Sequence, residues 1–211
     1  MLYQENIHCG WLKEDNMNSK GINKADVFNR LYEILSISVE KKPCVFLSHK
    51  KEDKPACKKI AEYLSNAGID YYLDEEDTDL QQAASASDPI KITEAIKQGI
   101  KNSTHMLVVI SEKTYHSQWV PFEVGYGQAA IIDNQTNTDK LKLSVLTLKD
   151  ISEKSLPDFL QIAYIIKGTK SLNEYISKIS NKLEKSMINE SRIFSNSQFQ
   201  HPLDNVLNWK L

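Results

Sequence analysis

Ser111, Tyr115, Ser117, Trp119 and Glu123 fall in one short run, Ser111-Glu-Lys-Thr-Tyr-His-Ser-Gln-Trp-Val-Pro-Phe-Glu123. Hydroxyls give and take hydrogen bonds, an indole offers a flat face to a planar ring, and a carboxylate steadies positive charge. Glu123 is expected in the first turn of a helix behind Pro121, where the helix dipole favours the ionised form. As an alternative, Glu123 merely caps its helix, but a capping box would want Ser or Thr at position 120, and Val120 is there. Trp119 has its own alternative as a core tryptophan at a helix–sheet junction. Ser111, Tyr115 and Ser117 read as a mixture of turn formers and pocket lining, and His116 as solvent-exposed.

The run follows the most strand-like segment of the chain, His105-Met-Leu-Val-Val-Ile110, and leads into a helical stretch from Phe122 to Ile132. Upstream, Cys44-Val-Phe-Leu-Ser48 is a short apolar run, as in a strand buried on both faces. Asp53 is a plausible N-cap for a helix carrying Ala56, Ile60, Ala61 and Leu64, stopped at Asn66-Ala-Gly68. Ile69–Leu73 reads as a second strand and residues 79–87 as a long loop. Asp88-Pro89 restarts a helix through Ile100, Leu143–Leu148 and Ile162–Ile166 read as two more strands, and Leu172–Leu183 as a last helix.

Five strands alternating with helices imply a parallel sheet with helices on both faces, in strand order 2-1-3-4-5. Ligands on such sheets bind outside the carboxyl ends of the strands. That places Ser48 and His49, at the end of the first strand, in the cleft. Asp74, at the end of the second, either binds a ligand or caps a turn. Before the sheet, Phe28, Leu31, Tyr32, Leu35 and Val39 repeat at helical spacing, so a helix beginning near Asn23 is expected to dock on the domain body. Beyond residue 186 the aromatics Phe194, Phe199 and Trp209 point to a tail docked onto the body or onto a partner. The expected division is an N-terminal helical extension over 1–42, a domain over 43–185 and a tail over 186–211.

At 211 residues and a formal net charge of -2, the chain reads as one domain with extensions, and nothing in its charge favours nucleic acid. No apolar run is long enough to span a bilayer, and the first residues do not read as a signal peptide. Cys9, Cys44 and Cys57 are too scattered for a disulfide framework or a metal site, and free thiols fit a reducing cytoplasm. His8-Cys9 has no metal-binding partners nearby. Gly125-Tyr-Gly-Gln-Ala-Ala130 fits the dinucleotide fingerprint G-x-G-x-x-A, but it lies inside a helix already begun and too far beyond Ile110. Its small residues are expected to let that helix pack close to the sheet. There is no phosphate-binding P-loop, and Ser48-His49 stand where a response-regulator receiver needs an acidic pair.

Taken together, three boxes carry a family resemblance over about residues 43–185. Val45-Phe-Leu-Ser48-His49-Lys-Lys-Glu-Asp53-Lys54 resembles the first signature box of bacterial TIR (Toll/interleukin-1 receptor) domains. Gly68-Ile-Asp-Tyr-Tyr-Leu-Asp74 resembles their second strand and the start of the BB loop. Ser111, Ser117, Trp119 and Glu123 are similar to the Ser…Ser-x-Trp-x-x-x-Glu pattern of TIR enzymes that cleave NAD. The resemblance implies a flavodoxin-like fold and cleavage of the nicotinamide–ribose bond, with NAD as substrate and no further cofactor or metal.

In that reading Glu123 is catalytic, and Ser48, His49, Asp74, Ser111, Tyr115, Ser117 and Trp119 bind substrate. Nicotinamide leaves as a neutral ring and needs no general acid, so one carboxylate suffices where ordinary glycosidases use two. Its role is to hold the ribose hydroxyls and stabilise oxocarbenium-like charge. Small bacterial TIR proteins of this kind resemble components of anti-phage defence systems such as Thoeris, and that resemblance implies a nucleotide signal made from NAD and read by a separate effector protein. The product is ADP-ribose, a cyclic isomer or a conjugate.

A different class of function, a non-catalytic TIR scaffold that assembles with other TIR domains, remains the alternative. The BB loop, Asp74 to Asp88, contains no glycine and carries Gln81-Gln-Ala-Ala-Ser85, a departure from the family pattern that bears on assembly. The expectation that follows is an isolated protein of weak activity that needs self-association, as a homo-oligomer through TIR–TIR contacts, or an activating cue.

Overall fold

The computed structural model describes residues 20–26, 31, 42–74, 77–133, 139–152, 154, 156–197 and 200–209. Five strands, β1 (Cys44–Ser48), β2 (Asp70–Tyr72), β3 (His105–Ile110), β4 (Leu143–Thr147) and β5 (Tyr164–Ile166), form one sheet in the order β2-β1-β3-β4-β5. Every neighbouring pair is parallel. The fold is thus the expected flavodoxin-like α/β arrangement.

Burial explains the strand compositions. All residues of β1, β3 and β4 are buried, as an all-parallel sheet covered on both faces requires. Alternate side chains divide between two cores. Val45, Leu47, Leu107, Val109 and Leu146 join one core with Cys57, Ile60, Ala61 and Leu64 of α1 (Lys54–Asn66). Phe46, Met106, Val108, Ile110 and Val145 join the other. Ile96 and Ile100 of α3 (Pro89–Lys101) and Val120 and Val124 of α4 (Trp119–Gly127) complete that second core.

Helix boundaries follow local chemistry. Gly68, with φ 82°, turns the chain out of α1 in the left-handed region. The Asp88 carboxylate accepts from Ile90 N and Lys91 N at 3.1 Å, starting α3 ahead of Pro89. A Cβ at Gly127 would stand 2.4 Å from Met106 Cε, so this glycine lets α4 lie close to β3, as expected. Gly125 is exposed with open space around it and has no such role. After Gly127 the helix widens into a π segment, Gln128–Asp133.

Three readings are corrected. The expected loop at 79–87 is mostly a helix, α2 (Thr78–Ser85). Its Leu, Gln and Ala residues favour helix intrinsically, and the Asp77 carboxylate caps it by accepting from Leu80 N at 2.9 Å. The last helix of the domain, α5 (Thr169–Ile179), begins and ends earlier than the pattern implied and is followed by α6 (Glu184–Asn189). No helix begins at Asn23, which instead forms a parallel bridge to Tyr71 of the edge strand β2. Phe28, Tyr32, Leu35 and Val39 lie outside the described residues, as do His8, Cys9 and Phe199.

The tail docks on the domain body. Leu203, Val206 and Leu207 enter the core built by α1 and α5, and Asn208 O accepts from Thr169 N at 3.0 Å. The Tyr63 hydroxyl of α1 gathers the parts, donating to Asn173 Oδ1 at 2.8 Å and accepting from Phe194 N at 3.0 Å. His201 Nε2 lies 3.2 Å from the same oxygen. Among the described residues no helix is long and apolar enough to cross a membrane.

Candidate functional site

The β1 strand ends at Ser48, and α4 crosses its carboxyl end with Glu123 on the inner side. Glu123 is 8% exposed, and the buried Ser48 hydroxyl donates to Glu123 Oε2 at 2.5 Å. Burial pushes the Glu123 carboxyl up to about 7 from an ordinary 4.5; the Ser48 hydrogen bond opposes the rise and the charge of Asp74 adds to it.

The expectation that Glu123 lies in the first helical turn, where the dipole favours the ionised form, is therefore corrected. Ser117 Oγ accepts from Val120 N at 3.2 Å, so α4 starts at Trp119 and Glu123 is its fifth residue, beyond the first turn where the dipole acts. Desolvation then dominates. A carboxyl poised near neutrality beside a fixed hydroxyl is the titration behaviour expected of functional acids.

Asp74 follows directly on the segment that ends β2. Its Oδ1 lies 3.9 Å from both His49 Nε2 and Lys54 Nζ. That oxygen is shielded from solvent and accepts no hydrogen bond from any described residue. His49 Nδ1 is 3.0 Å from Leu47 O; a carbonyl only accepts, so Nδ1 carries the proton and Nε2 faces the carboxylate. Two carboxylates, an imidazole and an ammonium thus converge at the carboxyl ends of β1 and β2. A vicinal diol would satisfy them, giving its protons to the carboxylates and accepting from Lys54.

Trp119 precedes Glu123 by four residues and shares its side of α4. The indole is 39% exposed and makes an edge contact with Phe122 at a centroid distance of 5.9 Å. Phe122 in turn stacks on Tyr126 at 6.2 Å. The core-tryptophan alternative therefore does not hold, because the side chain is partly exposed to solvent.

The remaining hydroxyls serve the loop more than the cleft. Ser111 Oγ donates to Asp53 Oδ2 at 2.5 Å and accepts from Lys113 N at 3.1 Å. Asp53 was expected to cap α1, but its carboxylate is drawn instead to this hydroxyl, and no side-chain cap forms. Ser117 accepts from Val120 N just ahead of the α4 N-terminus, Tyr115 is exposed, and His116 is exposed as expected. Neither Asp53 nor Lys54 was singled out as a site residue, although both stand in the first quoted box. Only the folded chain brings Asp53 to Ser111 and Lys54 to Asp74.

Other chemistry is less well supplied. Burial pushes the Cys57 thiol well up, with Asp53 and Asp74 adding to the rise, which disfavours a thiolate nucleophile. Two surface hollows, one bordered by Ile132, Leu143 and Ile162 and the other by Lys58, Glu62 and Tyr71, contain none of the converging residues. Neither is lined by a buried carboxylate, so the chemistry favours the residues gathered around Glu123 at the strand ends.

The TIR domain family model matches residues 45–184, and the chain belongs to that family. The match takes in Ser48, His49, Asp74 and the whole run from Ser111 to Glu123. No curated protein matches the chain.

Proposed function

We propose that this TIR-domain protein cleaves the N-glycosyl bond between nicotinamide and ribose in NAD. One observation carries the reading: a buried carboxyl on α4, hydrogen-bonded to Ser48 at the end of β1, feels the charge of Asp74 and lies four residues from an exposed indole. The nicotinamide ring stacks on Trp119, and the ribose hydroxyls reach Glu123 and the Asp74 cluster. The cationic ring favours ionisation of Glu123, since an opposite charge nearby lowers a carboxyl pKa. As the glycosyl bond lengthens, positive charge moves onto the ribose, and the fixed carboxylate stabilises it. Nicotinamide departs neutral, and water or another nucleophile closes the reaction from the face it vacates.

The products in this reading are ADP-ribose, a cyclic isomer or a conjugate, acting as a signal for a separate effector in anti-phage defence. Self-association through TIR surfaces brings the site to full activity. Incubating purified protein with NAD over a range of concentrations, beside Glu123→Ala, tests this. Nicotinamide release by the wild type alone, rising with assembly, supports the enzyme. No release even after induced assembly leaves a scaffold.

A further inference from the structure

We infer that Asn23, outside the matched family region, is a positioning residue for Asp74, its side-chain amide standing in for a missing rung on the outer edge of β2. The inference deepens the reading of the Glu123 cleft, but its geometry lies in the residues before the sheet.

The segment 21–24 runs along β2 as a short added strand. Tyr71 N donates to Ile22 O at 3.0 Å, and Lys24 N donates to Tyr71 O at 2.7 Å. By the two-residue period of an extended chain, Leu73 turns its own N–H and C=O toward the same edge. No backbone from the added segment meets them, because the chain turns away after Asn23, with Asp26 N donating back to Asn23 O at 3.3 Å. The Asn23 side chain fills the place: Oδ1 accepts from Leu73 N at 3.2 Å and Nδ2 donates to Leu73 O at 3.4 Å. Ala25 N also donates to Oδ1, at 3.1 Å, which fixes the orientation of the amide.

Both Asn23 and Leu73 are buried, at the floor of the hollow bordered by Lys58, Glu62 and Tyr71. On the other side of β2, the ladder to β1 ends at Phe46↔Tyr72. Two residues beyond Tyr72 is Asp74, whose carboxylate faces His49 and Lys54 and whose charge acts on Glu123. Asn23 therefore holds the backbone one residue before the carboxylate. The segment has its own anchors: Asp70 accepts from Ile22 N at 3.0 Å and pairs with Lys24 Nζ at 3.4 Å. Ser65 Oγ donates to Gly21 O at 2.6 Å. The segment 21–24 is thereby tied to the backbone beside Asp74.

The test is direct titration of the Glu123 side chain by carbon-13 NMR on the full chain, with amide exchange measured at Leu73. In Asn23→Ala, Asp74 drifts from Glu123, so the Glu123 midpoint falls toward its value in Asp74→Asn. The Leu73 amide exchanges about tenfold faster, as loss of one hydrogen bond implies. Lys24→Met loosens the same segment without touching Leu73 and leaves the midpoint in place. An unchanged midpoint in Asn23→Ala, or an equal fall in Lys24→Met, would overturn the assignment. Should Asn23→Ala fail to fold, Asn23→Gln keeps the amide one methylene out of register and is read by the same outcomes. Titration requires no NAD turnover, so a chain that never cleaves NAD would still answer the question.

Discussion

Glu123→Gln separates the electrostatics of the site from its shape. The carboxamide keeps an acceptor for the Ser48 hydroxyl but cannot ionise. In the wild type, folding raises this carboxyl from an ordinary 4.5 to about 7, chiefly through burial. A raised folded-state pKa means that the native state holds the proton more tightly than the unfolded chain. Its contribution to stability is fully present below about 4.5 and is lost as pH climbs through about 7. At about 1.4 kcal/mol per pH unit, the whole loss is about 3 kcal/mol.

Most of that falls between pH 5 and 8.5. For a chain of this size, each kcal/mol moves Tm by about 2–4 °C. Calorimetric melting at the two pH values should therefore show the Tm of Glu123→Gln gaining on the wild type by about 5–10 °C as pH rises. The variant should meanwhile lose NAD cleavage. A Tm gap that stays constant from pH 5 to 8.5 would refute the claim that this acid is charged at a desolvated position.

The neighbours of Glu123 should shift its titration in opposite directions. Ser48→Ala removes a hydrogen bond that lowers the carboxyl pKa, so the ascending limb of kcat/KM should move above pH 7; Asp74→Asn removes a like charge and should move it below. Trp119→Ala should raise KM for NAD by up to about tenfold, the worth of one aromatic stacking contact, while Tm changes little because the ring is half open. Tyr63→Phe should destabilise the protein by about 1–3 kcal/mol in denaturant unfolding, since Asn173 and the Phe194 N–H both lose a buried partner and the tail loosens.

How far the sequence could be read depended on where each property originates. β1 and β3 were legible to the residue, because strands buried on both faces must be continuous apolar runs. Helix α2 was missed: Ala83 is its only buried residue, so it carries almost no apolar period, and its cap at Asp77 was hidden in an acidic stretch. The exposure of Trp119 and the burial of Glu123 depend on how α4 meets the sheet, which spacing alone does not reveal. Ser111 and Asp53 are separated by 58 positions, and their hydrogen bond exists only once β3 lies beside β1. Asn23 belongs to no motif, and its place on Leu73 follows from three-dimensional edge pairing alone.

The account comes down to whether the ionised side chain at 123 supports departure of the pyridine base. The most direct measurement is the pH profile of nicotinamide release by the assembled wild type and by Glu123→Gln at saturating and limiting NAD. The account predicts a single ascending limb in kcat/KM near pH 7 for the wild type and only background release by the variant at every pH. Comparable release by both proteins, or no release from assembled wild type at any pH, would contradict it.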